Sequence, residues 1–391
     1  MNCQPYPDVR IISHGCVIPL GIGRCATRER LRSVRDGIAA VRLFSVEACR
    51  SKTAGQVPAT LRDTARAISA KSARWTRAAQ MILVAMAEAL DASPGFVPDC
   101  VILGTTSGGM TLGEEFYRDL DRCHPAWHSG RKVLSYYPQQ PIQQALDVFG
   151  FRAPVRIISN ACASGTNALG LAFHMIRSGA ARRVLAGGYD ALAELVFAGF
   201  DCLRASTPDK CRPFDAARSG LALGEGAALF CLQPDGGAIR LAGYGSTVDT
   251  HHLTQPHPSG CGPHSAMKRA LATAGYTPDD IDYINAHGTG TEFNDASEAR
   301  ALLELCPDTP VSSTKGMTGH ALGAAGAIEA AFCTEALQHN FLPANINFRH
   351  SEFPLAIVAN TVRPAPLHRT LSNSFGFGGA NASLLLEKCP A

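Results

Sequence analysis

Charge is scarce in this chain. Asp, Glu, Lys and Arg make up 18% of its 391 residues against 46% hydrophobic ones, which excludes a charge-solvated disordered chain and points to a globular protein with a large core. No apolar run reaches the roughly 18 residues of a membrane-spanning helix, so no membrane span is expected. The opening residues, Met1-Asn-Cys-Gln-Pro-Tyr-Pro, lack the basic region and apolar run of a signal peptide. The 14 cysteines are scattered and contain no Cys-x-x-Cys pair, so neither a disulfide framework nor a paired-cysteine zinc site is indicated. Reduced thiols in a cytoplasmic protein are the expectation. A net charge of only +3 hides an asymmetry: Arg24 to Arg77 carries eleven arginines and two lysines against Glu29, Asp36, Glu47 and Asp63. Such a segment is either a solvated basic face or an attractor for nucleic acid, membrane or an acidic protein.

The stretch from Val155 to Gly170 places a cysteine at a joint. Val155–Ser159 is a short β-branched run with the character of a buried strand, and Leu169, Leu171, Ala172, Met175 and Ile176 recur at helical spacing. Cys162 lies between them, where the positive end of a helix favours a thiolate. Strands are also expected at Val9–Gly15, Val101–Gly104, Arg183–Gly188 and Leu221–Leu232, and helices at Arg28–Val41 and Ala73–Leu90. Gln233-Pro-Asp-Gly-Gly237 is a junction, dividing the chain into 1–236 and 237–391. Beyond it the pattern repeats. Ala85-Met-Ala-Glu-Ala-Leu and the strand at Val101 are echoed by Ala266-Met-Lys-Arg-Ala-Leu and the strand at Tyr283. The cysteine turn is echoed by Val311-Ser-Ser-Thr-Lys-Gly-Met-Thr-Gly-His320. Echoes in the same order argue for an internal duplication of an α/β unit.

Four turns collect the chemistry. They are Asn160-Ala-Cys162-Ala-Ser-Gly, Asn285-Ala-His287-Gly-Thr289-Gly-Thr291, Thr314-Lys315-Gly-Met-Thr-Gly-His320 with Glu329 downstream, and Asn373-Ser-Phe-Gly376-Phe377-Gly378-Gly379. They supply a nucleophile, two imidazoles, an ammonium and glycine-rich backbone free to approach a ligand, the parts of an acyl-transfer site working through a thioester. A cluster of His251, His252, His257, Cys261 and His264 invites a zinc reading, but Pro and Gly interrupt it and no ligand pair has regular spacing, so no metal is expected.

With these motifs in this order, the chain resembles the β-ketoacyl-acyl carrier protein synthases of the condensing-enzyme family, nearest the elongating branch, over essentially its whole length. The resemblance implies the five-layered thiolase-like fold of two duplicated α/β halves, usually dimeric. It implies decarboxylative condensation of a malonyl-carrier thioester with an acyl chain held on Cys162, in fatty-acid or specialised polyene or polyketide biosynthesis. It assigns the oxyanion hole to the N–H groups of Cys162 and Phe377, enolate stabilisation to His287 and His320, and their electrostatic support to Lys315 and Glu329. A gating loop of Gly376, Phe377, Gly378 and Gly379 is implied, as is pantetheine binding by Thr289, Thr291, His252 and Thr254. The basic segment then gains a partner, an acidic acyl carrier protein docking on Lys71, Arg74, Arg131, Lys132 and Arg204; neither nucleic acid nor cofactor is implied. The second subunit is a copy of this chain or a catalytically silent chain-length-factor-like homologue. A silent partner role for this chain itself is disfavoured by the presence of Cys162, His287, Lys315 and His320 together.

Two departures from the family pattern stand out. Glu225 occupies a position where Asp is common. Ser107 stands where a bulky aliphatic residue often limits the acyl pocket, and with Tyr136 and Tyr137 near its far end the pocket is expected to admit a longer or stiffer chain.

Overall fold

The computed structural model describes residues 6–121, 130, 132 and 136–390. Five strands of the first half are β1 (Arg10–Ile18), β2 (Cys100–Gly104), β3 (Val155–Ile158), β4 (Val184–Asp190) and β5 (Gly226–Gln233). Five of the second are β6 (Ile239–Val248), β7 (Tyr283–Asn285), β8 (Val311–Ser312), β9 (Arg369–Gly376) and β10 (Ala380–Lys388). In the first half the order is β1-β5-β4-β2-β3, antiparallel across the first two pairings and parallel across the last two. The second half repeats it as β6-β10-β9-β7-β8, with the same two antiparallel and two parallel pairings. The halves also join edge to edge, through Arg10 and Ile11 of β1 against Arg240 and Ile239 of β6.

Two helices fill the space between the sheets: α3 (Ser164–Arg177), which follows the cysteine, and α7 (Ala325–His339), its counterpart. The sequence of α7 is rich in strong helix formers and has no polar face, and every residue from 325 to 337 is buried. The two helices cross almost backbone to backbone: a Cβ on Gly326 would lie 1.9 Å from Thr166 Oγ1. On the outer face of the first sheet lies α1 (Arg77–Asp91), whose N-cap Thr76 accepts the Ala79 N–H at 3.2 Å. The second sheet is covered by α5 (Cys261–Ala274) and α6 (Glu292–Leu305). The result is five layers, α/β/α/β/α, with one apolar cluster around the two inner helices and another under each outer layer. Two further helices, α2 (Met110–Asp121) and α4 (Glu194–Cys202), flank the chemistry described below.

The helix expected over 28–41 runs instead from Arg24 to Arg32. Val34 then adopts a left-handed φ of 55°, Gly37 donates its N–H to Met317 O at 2.8 Å, and Ile38–Ala40 is a strand. Continued helix would carry this segment away from the Lys315 turn, against which it packs. Among the described residues, no helix is long and apolar enough to cross a membrane.

Candidate active site

Equivalent turns of the two halves meet at the ends of the inner helices. Strand β3 ends in a turn where Ala161 is forced to a φ of 53°, a left-handed conformation strained for a residue with a Cβ. This presents Cys162 immediately before α3. Strand β8 leads to Lys315 and, after a loop crossing Gly319 at φ 71°, to His320 before α7. His320 Nε2 lies 2.9 Å from Cys162 Sγ. The His287 ring, at the end of β7, stands edge-on to His320 with centroids 5.2 Å apart. Ligating atoms of Cys162, His287 and His320 all fall within 4.8 Å of one another, and all three residues are buried.

Behind them Lys315 Nζ contacts Glu329 Oε1 and donates to His287 O at 2.6 Å, with His287 Nδ1 at 3.4 Å. An ammonium donating toward Nδ1 makes that nitrogen the acceptor and leaves the ring proton on Nε2, the atom opposite. The loop carrying His287 is held by two carboxylates from α6. Glu298 accepts the N–H groups of His287 and Gly288 at 2.8 and 2.7 Å, and Asp295 accepts those of Thr289 and Gly290 at 3.1 and 3.2 Å.

Electrostatics follow from depth. Burial, then the Lys315 charge, holds both imidazoles well below their ordinary range, so both are neutral at neutral pH. Burial pushes Glu298 and Glu329 up to about 7. It also pushes the Cys162 thiol up to about 12, outweighing Lys315 and the N–H groups of Phe377 and Cys162 that face the sulfur. Desolvation therefore outweighs the positive helix end that favours a thiolate, and the resting pair is thiol and neutral imidazole.

A cavity of about 290 Å³ opens from Cys162, His287 and His320 to the surface. Thr289, Thr291, Thr254 and Arg204 line it, as do all four residues from Gly376 to Gly379. The Thr289 and Thr291 hydroxyls share a 2.8 Å hydrogen bond. Phe377 stacks on Phe200 of α4 at 5.6 Å between centroids. Gly379 has no alternative residue: at φ 77° a Cβ would lie 1.8 Å from Asp249 O.

Other expected residues lie elsewhere. His252 is exposed and off the cavity wall, its Nδ1 accepting the Thr254 N–H at 3.1 Å. Ser107 is buried but does not line this cavity, while Tyr136 and Tyr137 are exposed. Lys71 and Arg74 are exposed beside each other, whereas Lys132 is engaged by Asp119 at 3.0 Å and Glu115 at 3.2 Å. Arg131 lies outside the described residues. Among the described residues, the histidine-rich loop 251–264 does not bring three ligands together; the catalytic-site trio is the group that does. The Lys315 ammonium beside His287 opposes a cation there. Glu225 is fully buried, and its extra methylene relative to Asp lets it take Arg77, with Val57 N–H at 2.9 Å and Leu192 N–H at 3.2 Å.

One residue escaped the sequence reading. Asp190, closing the otherwise apolar strand β4, is fully buried and accepts four hydrogen bonds beside the cysteine turn. Its signal was a lone carboxylate at the end of Val-Leu-Ala-Gly-Gly-Tyr.

Comparison with known proteins bears on the same residues. Residues 7–237 match the family model described as β-ketoacyl synthase, N-terminal domain, and residues 239–349 match β-ketoacyl synthase, C-terminal domain. The chain is 33% identical to a putative mitochondrial 3-oxoacyl-[acyl-carrier-protein] synthase of Schizosaccharomyces pombe, over 97% of this chain and 99% of that protein. Its fold is similar to that of the ishigamide ketosynthase/chain length factor, with a TM-score of 0.89, 28% identity and coverage of 98% and 100%. It is also similar to AntDE:AntF, described as a type II polyketide acyl-carrier protein in complex with its ketosynthase bound to the hexaketide, with a TM-score of 0.89, 25% identity and coverage of 99% and 100%.

Proposed function

We propose, from the premise that this chain belongs to the β-ketoacyl synthase family and is a 3-oxoacyl-[acyl-carrier-protein] synthase, a distribution of roles over the residues around its cavity. The observation that carries it is the 2.9 Å approach of His320 Nε2 to Cys162 Sγ, with His287 alongside.

In the first half-reaction Cys162 gives its proton to His320 and its sulfur attacks the carbonyl carbon of an acyl-carrier thioester. Charge collects on the carbonyl oxygen, where the N–H groups of Cys162 and Phe377 receive it. The pantetheine sulfur leaves and takes up the proton. In the second, a malonyl thioester enters, its carbon–carboxylate bond breaks, and the electron pair becomes an enolate whose oxygen faces His287 and His320. A Nε2–H on His287, fixed by Lys315 at Nδ1, supplies a donor there. The enolate carbon attacks the carbonyl carbon of the Cys162 thioester, a carbon–carbon bond forms as the carbon–sulfur bond breaks, and the released Cys162 thiolate takes a proton from solvent to restore the resting thiol. Neutral imidazoles suit both steps, since each must donate or accept without carrying a permanent charge in a dry site. Glu329 balances the Lys315 charge. Thr289, Thr291 and Thr254 contact the pantetheine arm, and Phe377, packed on Phe200, gates the cavity with Gly376, Gly378 and Gly379.

The arm must arrive on a carrier protein, and exposed Lys71, Arg74 and Arg204 suit an acidic one. We assign the two halves to 1–236 and 237–391, on the support of their repeated strand order. A second subunit is supported by β3, an edge strand of the first sheet that pairs on one side with β2. The subunit is a second copy or, as in the ketosynthase/chain length factor relative, a homologue; mass measurement of the purified native assembly distinguishes the two.

The reaction is tested with malonyl-carrier protein and the variants Cys162→Ala and Cys162→Gln. Condensation disappears in both, while release of carbon dioxide continues in at least one, because decarboxylation uses the histidines rather than the thiol. No carbon dioxide from any form, native chain included, rules the scheme out.

A further inference from the structure

We propose that Cys49 and Cys202 form a redox-sensitive pair at the mouth of the cavity, closed into a disulfide by a low-molecular-weight disulfide such as oxidised glutathione. The effect of that bond on turnover rests on the acyl-transfer reading above; the bond itself does not. Cys202 is exposed and is the last residue of α4. Soon after it Arg204 takes a left-handed φ of 55°, and Leu203, Arg204 and Ala205 run along the cavity wall. Two residues before it, Phe200 also lines the cavity and stacks on Phe377. Cys202 therefore ends the helix on which the gating loop rests.

The second thiol comes from residues 41–52, which form neither helix nor strand. Asp201 holds this segment: its Oδ2 accepts the Arg50 N–H at 2.8 Å and its Oδ1 the Ser51 N–H at 3.0 Å. The Arg50 guanidinium adds a bond to Ser206 O at 2.8 Å. One carboxylate thus clamps two chain segments together, and a cysteine adjoins the clamp on each side, Cys49 before Arg50 and Cys202 after Asp201. Cys49 is half-buried and packs, with Phe44, Val46 and Phe200, on the apolar cluster that holds Phe197. The two thiols are near enough for charge on Cys202 to oppose ionisation of Cys49. Burial, and next the Asp201 carboxylate, raise the Cys49 thiol, so the exposed Cys202 reacts first and Cys49 second. The Cys202 thiolate attacks one sulfur of the small disulfide, whose S–S bond breaks and releases one small thiolate. Cys49 then gives up its proton, attacks the Cys202 sulfur and expels the second small thiolate. Two protein thiols lose two electrons and two protons, and the small disulfide becomes two thiols. The new bond ties the end of α4 to the 41–52 segment and holds Phe200 against Phe377, which slows opening of the gate.

The test equilibrates the native chain, Cys49→Ser and Cys202→Ser with oxidised glutathione in mildly alkaline buffer, then maps unreduced digests by peptide mass. The native chain yields a linked pair of peptides carrying Cys49 and Cys202, whereas Cys49→Ser retains glutathione on Cys202. Before oxidation all three forms condense malonyl-carrier protein with an acyl chain alike, since neither thiol touches substrate. After oxidation, condensation by the native chain falls by about ten-fold, and dithiothreitol restores it. Cys202→Ser exposed to the same oxidant stays within about two-fold of its starting rate, which separates the effect from oxidation of Cys162. Glutathione on Cys202 without the link to Cys49, or a link that leaves condensation unchanged, overturns the proposal. A native chain inactive before any oxidation instead removes the condensation reading, and the peptide map still decides whether the pair forms.

Discussion

Removing the ammonium from the buried Lys315–Glu329 pair separates its structural work from its chemical work. Lys315 is 1% exposed and Glu329 2%, and they contact each other directly. In Lys315→Met the apolar chain fills most of the volume, but Glu329 keeps a carboxylate with no counter-charge in a dry site, which typically costs about 3–5 kcal/mol. The His287 carbonyl, bonded at 2.6 Å by the same ammonium, loses its donor as well, adding about 1–3 kcal/mol. Adding Glu329→Gln removes the stranded charge, so the double variant recovers most of the first cost and retains the second. The sign with pH is fixed by direction. Burial already raises Glu329 to about 7, and losing Lys315 raises it further. A raised carboxyl binds its proton in the folded chain before the unfolded one does. The deficit of Lys315→Met against the native chain is therefore largest at alkaline pH, shrinks as pH falls from the variant's further-raised range towards 7, and is constant below it. Urea denaturation at a series of pH values measures it. Activity does not follow stability: the double variant folds, yet its decarboxylation stays low because nothing fixes the His287 proton on Nε2. Strictly additive destabilisation in the double variant, or a deficit independent of pH, would refute the assignment of a single ion pair to this role.

Three further outcomes follow from the same geometry. Because burial raises the Cys162 thiol to about 12, its alkylation by iodoacetamide accelerates about ten-fold per pH unit between pH 7 and 9 without levelling; a plateau near neutrality would mean a preformed thiolate–imidazolium pair. Gly379→Ala meets Asp249 O at 1.8 Å in a left-handed backbone, so the gating loop shifts and kcat falls by at least about ten-fold, with thermal unfolding lowered by only a few degrees; unaltered turnover contradicts the fixed-loop reading. Glu225→Asp cannot span Arg77 and the Val57 and Leu192 N–H groups together, and costs about 1–3 kcal/mol in urea denaturation; replacement of Arg77 by Lys in the same background leaves the loss uncorrected.

The chemistry of this protein is local in its chain. Cys162, His287, Lys315, His320 and the Gly376–Gly379 loop were legible because reactive groups at strand ends need glycine and small residues around them, and that pattern is local. The duplication was legible for the same reason: each half repeats the same short-range alternation of strand and helix, and the repeated strand order is its outcome in space. Depth, and partners distant in the chain, are set only when the layers assemble. The dipole at the start of α3 argues for a thiolate, yet burial in the meeting of two halves reverses it, and no local spacing carries that information. The extra reach of Glu225 is filled by Arg77, 148 residues away in the chain. Ser107, Tyr136 and Tyr137 are absent from the wall of the cavity that reaches Cys162, a matter of packing that their places in the sequence do not carry. Asp190 was invisible as a site because its four donors come from two loops that only the packing of α3 against α7 brings together. Desolvation and long-range hydrogen bonding are properties of the assembled layers, whereas the nucleophile and its turn are written in consecutive residues.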